Sequence, residues 1–249
     1  MKRILYLILF LIPALSFANV QDEMSRAEAL YEQQNYDSVL CIYKTLIDQD
    51  YESADLYYNL ANAYFKKNEL AYAILFYEKA FLLNPHDEQI KHNLKYANAQ
   101  QVDKVDSIST GFVTKWYESV YRLASVSVWT VLTILFFILC LVGVYVFLFS
   151  QTVKHKKISF YSAILLVLFS FATFMFAKSR NKELTAQEYA IVVEPTVSVK
   201  TEPKYSSKDF TVVHSGLKVQ IVQEVKDWYF VRLDDGNKGW LPKIYIERI

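Results

Sequence analysis

Thirty-one uncharged residues, Leu123 to Val153, are followed by the basic tetrad Lys154, His155, Lys156 and Lys157, and then by twenty more uncharged residues, Ile158 to Ala177. A helix rises about 1.5 Å per residue and a bilayer core is about 30 Å thick, so roughly 20 apolar residues suffice to cross it. Both runs qualify, and with so few residues between them the spans must be antiparallel neighbours. The pattern predicts a two-helix transmembrane hairpin: a first span over 123–150, a cytoplasmic turn over 151–157 and a second span over 158–177. The chain before Leu123 and the chain beyond Ala177 then face the same compartment. The first run is apolar all round, unlike a half-exposed soluble helix. Trp116, Tyr117, Tyr121 and Trp129 lie near its outer end, where such rings favour the headgroup level.

Orientation comes from the first eighteen residues. Lys2 and Arg3, an apolar run, Pro13 and the small pair Ser16 and Ala18 read as a secretory signal peptide over 1–18. An uncleaved anchor is the alternative, and it puts residue 20 on the same outer side. The Lys-rich turn suits the cytoplasm, while Lys178, Arg180 and Lys182 pull the other way. Segment 106–122 is read either as an interfacial amphipathic helix or as an extension of the span.

The N-terminal segment, 22–105, has helical periodicity, lacks Gly and contains one Pro. It also repeats: a shift of 34 residues superposes Ala27 on Ala61, Leu30 on Tyr64, Tyr36 on Leu70, Val39 on Ala73, Tyr43 on Tyr77 and Leu46 on Ala80. A 34-residue period of paired helices is the tetratricopeptide signature. The second copy resembles that family closely, with Tyr57, Leu60, Ala61, Tyr64, Ala73, Tyr77, Ala80 and Pro85 in place. The segment after Asp87 reads as a capping helix. Two repeats are fewer than the three usually needed, so something must cover the exposed apolar surface.

Beyond the second span, Asn181 to Ala186 reads as a polar linker, after which the period changes from 3.6 to 2. Seven short β-rich runs come next, separated by Pro195, Pro203, Gly216, Asp234-Asp235-Gly236 and Pro242. Such runs close most economically as a small barrel over 187–249. The stretch from Trp228 through Gly239, Trp240, Pro242 and Tyr245 resembles bacterial SH3 domains. The fold class is a multi-domain membrane protein: all-α tetratricopeptide repeats, a transmembrane hairpin and an all-β SH3-like barrel.

Catalysis needs a placed nucleophile, base or metal. The four histidines are scattered, Cys41 and Cys140 cannot easily meet, and the glycines are not grouped. No enzyme, metal or cofactor is expected. Residues 19–122 carry 10 basic and 16 acidic residues and 178–249 carry 12 and 10, which does not suggest nucleic acid. No ionisable residue lies inside either run, so transport is not expected.

Binding remains. The tetratricopeptide resemblance places Asp55, Tyr58, Asn62, Phe65 and Lys66 on the concave face, with the two rings as apolar anchors, Asn62 for a peptide backbone and Lys66 for an acidic group. The alternative is that Tyr58 and Phe65 pack against the capping helix. In the barrel, Trp228, Pro242 and Tyr245 match the aromatic groove of SH3 domains, or else fill the core. The order of modules resembles the E component of the Bat aerotolerance operon. That resemblance implies a non-catalytic inner-membrane scaffold with both soluble domains in the periplasm. It further implies protein partners of the von Willebrand factor A type and a MoxR-type ATPase. A peptidoglycan-binding module is the alternative. Signalling is disfavoured, because the cytoplasm would receive only residues 151–157.

Overall fold

The computed structural model describes residues 20–103, 111–185 and 188–249. The expected signal peptide, 1–18, lies outside them, as does the first part of the juxtamembrane segment, 106–110. The described chain forms two compact units. One joins residues up to 103 with 188–249, and the other holds 111–185.

In the first unit, α1 is helical over 20–32, followed by α2 (Tyr36–Asp48), α3 (Ala54–Lys66), α4 (Leu70–Leu83) and α5 (Glu88–Ala99). The 34-residue period is written into the backbone as well as the side chains. Gln34 and Asn68, one period apart, both turn with φ near +60°. In each of these turns the chain closes with the same bonds: Asn35 N–H to the Leu30 carbonyl and Glu69 N–H to the Tyr64 carbonyl, both at 3.0 Å. Ser53 and Asp87, again one period apart, cap α3 and α5 by accepting backbone N–H groups at the helix starts. Ala27, Ala61, Val39 and Ala73 are fully buried in the seams between helices.

The sheet has seven antiparallel strands: β1 (Tyr189–Val192), β2 (Thr196–Lys200), β3 (Asp209–His214), β4 (Lys218–Val225), β5 (Trp228–Arg232), β6 (Lys238–Pro242) and β7 (Ile246–Arg248). They match the seven runs read from the sequence, and their order is β3-β2-β6-β5-β4-β1-β7. The sheet curls so that Val192, Val199, Val219, Val231, Leu241 and Ile246 share one core. Gly239 is fixed by this curl, since a Cβ there would lie 2.3 Å from Val199 Cγ1 and 3.0 Å from the Lys200 carbonyl oxygen. A single 3-10 turn, Lys243–Tyr245, precedes β7.

The sheet does not stand apart from the helices. Ile191 of β1 is completely buried within the helical core, and Ile249 packs on it. Around this apolar seam Lys218 meets the buried carboxylate of Glu78 at 2.7 Å. Asp103 accepts two hydrogen bonds from His214, one from the backbone N–H at 2.6 Å and one at ring Nδ1 at 2.8 Å. Gln101 donates to the Gly216 carbonyl at 3.0 Å. Part of the surface that a two-repeat array leaves open is therefore covered from within the chain.

The second unit contains α6 (Phe112–Tyr121), α7 (Val126–Phe149) and α8 (Val153–Thr185). Of these, α7 and α8 are long and apolar enough to cross a membrane. They pack in one antiparallel register: Trp129 on Phe176, Thr133 on Thr173, Gly143 on Ala163 and Phe147 on Phe160. The α8 side of the seam is the stripe Ser159, Ala163, Ser170, Thr173, Ala177 and Arg180, mostly small residues that let helix backbones approach.

Three boundaries differ from the sequence reading. The turn is tighter than 151–157, because neither Gly nor Pro interrupts Val153 to Lys157 and the basic tetrad joins the first turns of α8. Asn181 to Thr185 is helix rather than linker: Thr185 Oγ1 donates to the Asn181 carbonyl at 2.8 Å, and Glu183 is held by Arg122 and Arg180. The first long apolar helix starts three residues later than 123, since Ser125 caps α7. The separate helix α6 is tied to α8 through Tyr117, whose hydroxyl lies 2.8 Å from Ser179 Oγ.

Candidate functional site

The first helix of each pair, α1 and α3, together with α5, lines one groove of about 430 Å³. Tyr58, Asn62, Phe65 and Lys66 all reach it, as their spacing on α3 requires; Asp55, at the start of the same helix, does not. Sequence reasoning missed Tyr31, Tyr77, His92, Asn93 and Tyr96, which complete the lining. The signal was nonetheless present. Tyr31 lies 34 residues before Phe65, and His92 and Tyr96 lie 34 after Tyr58 and Asn62, so α5 is a further copy of the groove-facing helix.

A hydrogen-bond network stiffens the floor. Tyr77 O–H donates to Asn62 Oδ1 at 2.5 Å, and the Asn93 amide donates to the same oxygen at 3.2 Å and to Tyr58 Oη at 2.9 Å. Phe65 meets Tyr96 at a tilt with ring centroids 5.7 Å apart, and Tyr58 meets Tyr77 likewise at 5.9 Å. Thus Tyr58 and Phe65 do touch the capping helix while still lining the groove. Asn62 has spent its oxygen internally, so its amide N–H groups and the Tyr58 O–H remain as donors without a partner among the described residues. Burial, with Tyr58 nearby, raises the Tyr77 phenol above its ordinary range, and burial likewise raises Tyr31. Both stay neutral at physiological pH. The groove offers neutral aromatic walls, donors on its floor, and Lys66 and His92 exposed at the rim. That chemistry suits an extended peptide, whose carbonyls need donors and whose side chains need apolar contact.

The second predicted site assembles only in part. Trp228 and Pro242 face each other across β5 and β6, but Trp228 is buried, with the exposed Tyr205 ring 5.0 Å away. Tyr245 packs half-buried on the sheet core. A different aromatic pair lies on the outer face of these strands: Phe230 and Trp240, in register and with centroids 5.0 Å apart, each half-buried.

Residues 54–87 match the tetratricopeptide repeat family. Residues 195–247 match the bacterial SH3 domain family. The first match starts where α3 starts and ends on the cap of α5. The second begins after β1, the strand whose Ile191 enters the helical core. Both families are typically interaction modules. No curated protein matches this chain. Among the described residues, no three His, Cys, Asp or Glu side chains cluster as a metal site would require.

Proposed function

We propose that this chain is a membrane-anchored adaptor that holds an extended segment of a partner protein in the aromatic groove of its helical repeats. The observation that carries this reading is the groove floor, where an internal network turns the Tyr58 O–H and Asn62 N–H groups into donors between aromatic walls. In finer detail, the order of modules supports an aerotolerance-type scaffold in a bacterial inner membrane, with both soluble parts in the periplasm. Its partners would be von Willebrand factor A-type membrane proteins working with a MoxR-type ATPase. The docking of sheet on repeats supports the hairpin topology, because an even number of crossings returns the chain to the side it left.

The test uses the groove rim, because truncating Asn62 would also cut the bonds that join α3, α4 and α5. Lys66→Glu combined with Tyr96→Ser changes two exposed positions and leaves the network intact. With a photo-crosslinker at His92, neighbours captured in native membranes by the parent chain should be lost from the variant. Unchanged neighbours would rule the groove out as the binding surface.

A second reading is favoured by the outer-face pair Phe230 and Trp240, since paired aromatic faces suit sugar rings as well as peptides. In that reading the SH3-like sheet binds peptidoglycan and the repeats act as a spacer. Retention of the full-length chain on purified sacculi, abolished by Trp240→Ala, would favour it over the adaptor.

A further inference from the structure

The two ends of the α7–α8 hairpin handle charge differently. At one end Arg122 and Arg180 share the carboxylate of Glu183 at 2.5 and 2.6 Å. At the other, Lys154, His155, Lys156 and Lys157 stand exposed in the first turns of α8, and no Asp or Glu occurs between Glu118 and Glu183 to balance them. Beside this uncompensated charge α7 and α8 leave an apolar groove of about 330 Å³, walled by Leu139, Val146, Ile158 and Leu166 and reaching His155. Gly143 and Ser162 lie on its lining, and Gly143 is where α7 comes close to Ala163 of α8.

We propose that this groove is a binding site for one anionic phospholipid, with an acyl chain lying between the helices and the phosphate held by the lysines at the loop. Charge complementarity selects the occupant. The neighbouring surface is apolar along its length and cationic at one end, which is the pattern of an anionic lipid in reverse, and basic clusters at a membrane surface attract such headgroups. A zwitterionic lipid would leave the lysines uncompensated. A second copy of this chain would bring a second basic tetrad against the first.

The proposal rests on the hairpin crossing a bilayer, which resistance to carbonate extraction checks separately. The full-length chain is reconstituted in vesicles of phosphatidylcholine with a minor fraction of phosphatidylglycerol, released gently, and weighed intact to count retained lipids. One phosphatidylglycerol per chain is expected. Replacing Lys154, Lys156 and Lys157 together by Gln should lower its retention at least roughly tenfold, whereas the same three changed to Arg should keep it. Ser162→Phe, which fills the groove and leaves every charge in place, should also lose it. Retention that survives Ser162→Phe but not the Gln variant means diffuse surface attraction and overturns the site. Equal retention of the two lipids, or a dimer that Ser162→Phe dissolves, overturns it as well.

Discussion

Asn62 shows how one side chain serves both fold and site. Its oxygen accepts from Tyr77 and Asn93, which ties three helices together, while the same side chain lines the groove. An aspartate at this position would keep the acceptor and lose the donors. A glycine carries comparable weight in the sheet. Gly239 sits against Val199, a fully buried β-branched side chain with little freedom to move. Gly239→Ala should therefore force a shift of the β2–β6 contact and cost about 1–3 kcal/mol, read from the denaturation midpoint of Trp228 and Trp240 fluorescence. Gly111→Ala is the control, because a Cβ there meets nothing within 4 Å. Equal midpoints for the two variants would mean that the curl does not depend on this approach.

At the scale of elements, the seven strands, the helical period and the paired apolar helices were all legible, because each rests on local periodicity. The boundaries that moved were those without Gly or Pro to mark them. Over Asn181 to Thr185 the helix carries a clasp between Glu183 and two arginines, one of them 61 residues away. The groove was half legible: α3 declared its concave residues, while α5 was read only as a cap although its positions repeat those of α3. In the sheet, the pairing of Trp228 with Pro242 was legible from the strands, whereas the Tyr205 ring beside Trp228 comes from a loop whose path no strand pattern encodes. The repeat makes a sharper prediction. Ala73 is fully buried where Val39 stands in the first copy, so the two seams differ in size. Ala73→Leu should overpack its seam by about 1–3 kcal/mol, while Val39→Leu, a smaller volume change, should cost under about 1.5 kcal/mol. Hydrogen exchange at α2, α3 and α4 amides distinguishes the two. Similar exchange in both variants would refute the difference between the seams.

For the whole molecule, the consequential feature is the docking of the sheet on the repeats, which joins residues as far apart as Glu78 and Lys218, 140 positions along the chain. No periodicity predicts such a contact, and yet it supplies the surface that a third repeat would cover elsewhere. Charge and burial then set the prediction. Glu78 is 7% exposed, and its carboxylate tolerates burial because Lys218 neutralises it. Lys218→Met removes the partner and leaves a buried charge, a loss of about 1–3 kcal/mol. Lys218→Glu should cost more, because like charges then meet beside α4. Glu78→Gln combined with Lys218→Met should recover part of the loss, since neither group then carries charge. If the sheet serves as the cap of the repeats, exchange in Lys218→Glu should quicken together in α3, α4, β1 and β4 of the full-length chain, and α7 and α8 should keep the parent rate. Faster exchange in β1 and β4 with α4 unchanged would mean that the repeats stand without the sheet. The aromatic groove would then be independent of the sheet that follows α8.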